Sequence, residues 1–187
     1  MDNLDDIVKG CIDGKSSAQE KLYKLFSRKM YGVCLHLTKD QDSAEEILQE
    51  GFIKVFNNLA QFKNLGSFEG WVRKIMVNTA LEHYRKQTHF QLVNEQEIAN
   101  EEISFDDIES DILAEDLMTF IQELTPQYRM VFSLYAIEGY SHAEISDMMT
   151  ISVGTSKSNL SRARKILQDR VIETYGNDIA KNRKISW

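Results

Sequence analysis

Residues 139–167 read GYSHAEISDMMTISVGTSKSNLSRARKIL, and two helix start signals stand close together in them. Ser141 and Glu144 have the spacing of a capping box ahead of Ile145, Met148 and Met149, and Ser152 is placed to cap a second helix beginning at Val153. The eleven positions from one cap to the other leave room for a short helix and a tight turn. In the second helix Val153, Leu160, Ala163, Leu167 and Val171 fall in one stripe at 3.6-residue periodicity. The opposite face holds Gly154, Thr155, Ser158, Ser161, Arg162 and Lys165, with Lys157 and Arg164 on its shoulders. Small residues at the helix start let the backbone approach a groove, and the long cations beyond them reach phosphates or guanine edges. Two capped helices in this tight succession are how a helix-turn-helix presents its second helix to duplex DNA. An ordinary solvated amphipathic helix is the competing reading of the second helix taken alone.

Composition bounds what surrounds this pair. A chain of 187 residues with one proline and nine glycines predicts an all-α protein of one or two small helical domains. Cys11 and Cys34 have no CxxC spacing and read as apolar helix-face residues of a reduced, cytoplasmic protein without structural zinc. No stretch approaches the roughly 18 apolar residues of a spanning helix, and the start, MDNLDDIVKG, is acidic where a signal peptide is basic, so no membrane insertion is expected.

A net charge of −7 fits poorly with nucleic-acid binding until it is divided along the chain. Residues 1–86 carry 13 Lys and Arg against 12 Asp and Glu, and residues 129–187 carry 9 against 6. The intervening segment, 87–128, has no Lys or Arg and 11 Asp and Glu. Within it QLVNEQEIANEEISFDDIESD lacks a sustained apolar stripe, which predicts an acidic flexible linker over 89–110 between domains at 1–88 and 111–187. That linker is either a plain spacer or a mimic of nucleic-acid charge.

The C-terminal block reads as a four-helix module. It starts near Ile112, pauses at Thr125-Pro126 where Thr can cap and Pro fits the first turn, buries Met130, Val131, Leu134 and Tyr135, and stops at Gly139. A basic tail, Lys181 to Lys184, follows the recognition helix.

In the N-terminal block Ser17 with Glu20 and Asp42 with Glu45 are the candidate caps of two helices. The first directs Leu22, Leu25, Phe26, Val33 and Leu37 inward; the second has a core stripe of Ala44, Leu48, Gly51, Phe52, Val55 and Leu59. Glu46, Gln49, Ile53 and Phe56 then fall on a second, outward strip at heptad-like spacing. The strip is either a docking seam for a partner helix or a face packed beneath neighbouring chain. After the loop FKNLGS, a helix over 68–86 interleaves Phe68, Trp71, Val72, Ile75 and Tyr84 with Arg73, Lys74, Arg85 and Lys86. Rings that stack on bases beside cations that hold the backbone suit single-stranded nucleic acid, while Phe68 and Trp71 equally suit a core.

Two long stretches carry a family resemblance. DSAEEILQEGFIKVFNNLAQFKNLGSFEGWVRKIMVNTALEHYRK resembles region 2, and LTPQYRMVFSLYAIEGYSHAEISDMMTISVGTSKSNLSRARKIL resembles region 4, of bacterial extracytoplasmic-function (ECF) sigma factors, in that order across an acidic linker. The resemblance implies a promoter-recognition subunit with no catalytic activity of its own and no cofactor. It implies docking on the clamp helices of the largest catalytic subunit of core RNA polymerase through Glu46, Gln49, Ile53 and Phe56, and on the flap of the second largest subunit. It assigns the −10 element to the Phe62–Ser67 loop with Asn64, and to Trp71, Lys74 and Asn78, the last meeting an extruded base. It assigns the −35 element to Thr155, Lys157, Ser158, Asn159, Ser161, Arg162, Arg164 and Lys165, and it implies an anti-sigma factor as a further partner.

Three residues depart from the pattern: Thr150 where the turn usually has Gly, Ser156 where the recognition helix usually has an apolar residue, and Asn159 where Arg is frequent. Ser156 falls on the buried stripe, and Asn159 is expected to turn base preference toward adenine. The alternative function, a free-standing helix-turn-helix regulator, leaves the outward strip and the aromatic-basic helix without a purpose. An enzyme is disfavoured because His36, His83, His89 and His142 have no metal-ligand spacing and neither a phosphate loop nor GxSxG occurs.

Overall fold

The computed structural model describes residues 3–63, 65–88 and 114–182, with side chains as far as Gly176 in the last helix. The chain divides into two compact units, 1–92 and 93–187. The division falls within the segment expected to be the acidic linker, residues 89–110, which itself lies outside the described residues.

The first unit consists of α1 (Leu4–Ile12), α2 (Ser16–Leu37), α3 (Gln41–Asn58), a 3-10 turn (Leu59–Gln61) and α4 (Phe68–Thr88). Helices α2, α3 and α4 pack on one another around Leu22, Phe26, Met30, Val33, Leu48, Phe52, Val55, Phe68, Val72 and Met76. The core stripe of α3 is buried as its period dictates, from Ala44 through Leu48, Gly51, Phe52 and Val55 to Leu59 in the turn beyond. Gly51 leaves room for Met76 of α4, whose Sδ a Cβ at that position would collide with. Both cysteines are buried and unpaired, and burial pushes the Cys34 thiol up to about 12.

Several local expectations change. Helix α1 lies outside the elements expected from the sequence, although Leu4, Ile7, Val8, Cys11 and Ile12 have helical spacing. Helix α2 begins at Ser16 with Lys15 in the cap position and no side-chain cap, and Glu20 pairs with Lys24 at 2.5 Å rather than serving Ser17. Asp40, not Asp42, caps α3, its carboxylate accepting from Ser43 N at 2.8 Å. Leu25 is 55 % exposed and does not join the core.

The second unit consists of α5 (Ala114–Glu123), α6 (Pro126–Phe132) with a π turn at Ser133–Ile137, α7 (His142–Met149) and α8 (Val153–Asn182). Pro126 occupies the first helical turn as expected, but the Thr125 hydroxyl makes no cap; its carbonyl accepts from Arg129 N at 2.9 Å. Met130, Val131 and Leu134 are buried. The wider turn closed by Glu138 N on Ser133 O, at 2.9 Å, brings Tyr135 out of the core, where it is half-buried. Gly139 then ends the run at φ 77, a left-handed backbone suited to glycine. Arg129 is buried and holds α5: Nε donates to Ile121 O at 3.3 Å, and Nη2 donates to Gln122 O at 2.8 Å and Leu124 O at 2.5 Å. These carbonyls lie at the C-terminal end of α5, which carries partial negative charge, so a guanidinium is a fitting cap there, beside the Leu124 N bond to Ile121 O at 3.2 Å.

Candidate nucleic-acid interface

The turn between α7 and α8 is built by local bonds. Glu144 N donates to Ser141 Oγ at 3.3 Å while Glu144 Oε2 accepts from Ser141 N at 2.8 Å, completing the capping box. Thr150 closes α7 in the left-handed region at φ 57 and ψ 45, the conformation for which glycine is the usual residue. Ser146 Oγ donates to Ile151 O at 2.6 Å, and Ser152 Oγ accepts from Thr155 N at 2.9 Å to start α8.

Packing against α6 and α7 sets which face of α8 remains open. Leu160, Ala163, Leu167 and Val171 are buried as the stripe predicts, and Ser156 is buried with them. Ser156 is accommodated by a partner, its Oγ lying 2.9 Å from His142 Nδ1. Two positions depart from the stripe. Val153 is 42 % exposed, although Ser156 in the same turn is buried. Asn159 is 3 % exposed, and its Nδ2 has no hydrogen-bond partner among the described residues. A side chain so enclosed cannot reach a base edge while α8 is packed this way, so Asn159 leaves the predicted −35 set.

The other predicted −35 residues stand on the open side. Lys157 and Lys165 are exposed, and Thr155, Ser158, Ser161, Arg162 and Arg164 are half-buried. Their hydroxyls and charges are partly engaged: Ser158 Oγ donates to Thr155 O at 3.0 Å, Lys165 pairs with Asp169 at 2.9 Å, and Arg162 Nη1 donates to Tyr128 Oη at 3.4 Å. Arg164 lies 5.8 Å above the ring of Tyr135, which stacks on His142 at 4.4 Å. Burial, then the Lys157 and Arg164 charges, hold the His142 imidazole below its ordinary value. The sequence gives no sign of Tyr128, Tyr135 and His142 as supports of the reading helix, because their contacts cross between helices.

A second surface lies at the start of α4. Ser67 Oγ accepts from Gly70 N at 3.0 Å, so the predicted strand-binding serine also caps the helix. Phe62 meets Phe68 edge-on at 5.1 Å and Trp71 at 5.5 Å. Phe68 is core, whereas Phe62 and Trp71 are half-buried. Trp71 separates two grooves. One, of ≈ 400 Å³, is lined by Phe62, Lys63, Leu65, Ser67, Trp71 and Lys74; the other, of ≈ 230 Å³, by Lys54, Asn58, Trp71, Ile75, Asn78 and Glu82. Lys74 and Asn78 are exposed, so rings, cations and an amide share one face, as single-strand binding requires. Asn64 lies outside the described residues.

The third surface is the α3 strip. Glu46 and Gln49 are exposed, Ile53 is 59 % exposed and Phe56 is half-buried against Phe52 at 6.0 Å. Among the described residues Glu46, Gln49 and Ile53 of the strip stay exposed. Behind it a charge network ties α3 to α4: His83 Nε2 lies 2.5 Å from Glu50 Oε2, and Lys54 pairs with Glu50 at 2.9 Å and Glu82 at 2.7 Å. Hydrogen bonds from His83, then Lys54, bring the Glu50 carboxyl down to about 2.

The model of sigma-70 region 2 matches residues 22–90, over the second and third surfaces, and that of sigma-70 region 4 matches residues 114–167, over the first. The chain belongs to the sigma-70 family. Its relatives include ECF RNA polymerase sigma factors. It is 29 % identical over 155 residues to the ECF RNA polymerase sigma factor SigE of Mycolicibacterium smegmatis, covering 80 % of this chain and 60 % of that protein. It is 27 % identical over 166 residues to the RNA polymerase sigma-H factor of Pseudomonas aeruginosa, covering 82 % and 86 %. It is 26 % identical over 176 residues to the ECF RNA polymerase sigma factor SigW of Bacillus subtilis, covering 88 % and 94 %. The sigma factor RpoE of Bartonella quintana, solved in complex with the anti-sigma factor NepR, shares the fold: TM-score 0.50, 20 % identity, with 80 % of this chain and 94 % of that chain covered. No described helix of this sigma factor is long and apolar enough to cross a membrane.

Proposed function

We propose that this sigma factor works in the cytoplasm as a non-catalytic specificity subunit, with residues 1–88 and 111–187 as its two working domains. In this reading the Glu46, Gln49, Ile53 and Phe56 strip docks on the clamp helices of the largest catalytic subunit of core polymerase, and the second unit docks on the flap of the second largest. The Trp71 face with Phe62, Ser67, Lys74 and Asn78, joined by Asn64, takes the opened −10 element. Helix α8 reads the −35 element through Thr155, Lys157, Ser158, Ser161, Arg162, Arg164 and Lys165. An anti-sigma factor is a further partner in this reading; the Bartonella protein was solved in complex with one, NepR.

The observation that carries this reading is the exposed Ile53 beside the half-buried Phe56, flanked by the exposed Gln49 and Glu46 on a helix whose other face is buried. A free-standing DNA-binding regulator has no need of such a strip. Run-off transcription with core polymerase and genomic fragments is the test: specific transcripts require the added chain, and Gln49→Ala with Phe56→Ala weakens core binding by about 2 kcal/mol or more, as for paired hot spots. Equal competition for core by the double variant removes the docking role. Tight, specific binding of duplex by the chain without core favours the free-standing regulator.

A further inference from the structure

Val153 is the first residue of α8, and by period it belongs to the buried stripe, yet it is 42 % exposed. Nothing local requires an apolar side chain there. The first turn of a helix favours acidic residues, which complement its positive end, and α8 has none in that turn. The polar groups around Val153 are turned inward on the helix itself: Ser152 Oγ accepts from Thr155 N at 2.9 Å and lies 2.8 Å from Thr155 Oγ1. Beside it Gly154 has no Cβ, and one built there meets only Ser152 Oγ, at 3.6 Å. The leading edge of the helix therefore offers the valine methyl groups, the bare backbone of Gly154 and, one turn on, the exposed Lys157.

The N-terminal residues of a recognition helix are those that meet base edges. Of the groups displayed in the major groove, the thymine C5 methyl is the one that gains from an apolar neighbour. We propose that Val153 is a specificity-determining residue that packs on the C5 methyl of a thymine in the −35 element. The assignment rests on the reading of α8 as the −35 helix. Gly154 lets the backbone come close enough for so short a side chain to reach, and Lys157 anchors the adjoining phosphate.

The test uses holoenzyme formed from the full chain and core polymerase, on a promoter fragment transcribed in the run-off assay. Each −35 thymine is replaced singly by deoxyuridine, which removes the methyl and leaves base pairing intact. The wild-type chain is expected to lose about four-fold in promoter affinity at one position, the effect of one buried methyl. Val153→Ala should lose a similar factor on unmodified DNA and be indifferent to deoxyuridine at that position. Alanine is a good helix former at an exposed site, and unchanged helicity verifies that α8 is intact. If Lys157→Ala weakens −35 binding but no deoxyuridine effect depends on residue 153, the inference fails and the reading of α8 stands. A uniform loss by Val153→Ala on every sequence, with deoxyuridine sensitivity retained, also overturns it. If neither Lys157→Ala nor scrambling the −35 element changes binding, α8 is not the reading helix and both fail.

Discussion

Replacing Asn159 by leucine separates the buried role that the structure gives this residue from the base-reading role that its sequence position suggests. Asn159 is 3 % exposed, on the side of α8 that also buries Ser156 and Leu160, and its Nδ2 donor has no partner among the described residues. A buried donor left unmade costs about 1–3 kcal/mol. Leucine has the same heavy-atom branching and no polar atoms, so the substitution removes that cost, while its bulkier methyl groups add a packing penalty of under about 1.5 kcal/mol. The expected balance is a gain of about 1 kcal/mol, which for a unit of this size raises the melting midpoint by about 4–8 °C. Hydrogen exchange of the α8 amides in the intact chain reads the gain locally, and run-off transcription from −35 variants reads base preference, which should not move. A destabilised Asn159→Leu protein would mean that the amide is satisfied after all. A changed base preference would mean that α8 repacks on DNA to bring residue 159 to the groove.

Arg129→Met should destabilise the second unit by about 3 kcal/mol in urea unfolding, because the Ile121, Gln122 and Leu124 carbonyls lose a charged donor in a buried place. A change below 1 kcal/mol would show that those carbonyls are otherwise satisfied. Thr150→Gly should stabilise the same unit by roughly 0.5–1 kcal/mol, since a left-handed non-glycine residue costs about 1–2 kcal/mol and glycine returns part of this as chain entropy; loss of stability would place a contact of the Thr side chain above the backbone strain. Glu50 is depressed from 4.5 to about 2, so the stability it contributes is present above pH 4.5 and is lost as pH falls through 2. Glu50→Gln should flatten the stability profile of the first unit in that window, and an unchanged slope there would remove the His83–Glu50–Lys54 network as its source.

The division between what the sequence determined and what the tertiary structure decided follows the range of the interactions. The capping box at Ser141 and Glu144, the Ser152 cap and the stop at Gly139 were legible because each is made within a few residues of chain. The α3 core stripe and the outward Gln49, Ile53 and Phe56 strip were legible because a helix in the middle of a bundle buries the face its period selects. The N-terminal caps were not: Ser17 and Asp42 have the right neighbours, but the chain enters α2 and α3 at Lys15 and Asp40, where the preceding helices and turns deliver it. Periodicity assigns an angle around a helix and says nothing of how far a neighbour extends along it. Val153 and Asn159 therefore exchanged places: packing against the neighbouring helices leaves an expected core valine exposed and encloses an expected base reader. Arg129 shows the same limit for charge. Its guanidinium is buried because the carbonyl end of α5 folds back over it, a pairing set by the arrangement of two helices that no spacing in the sequence encodes.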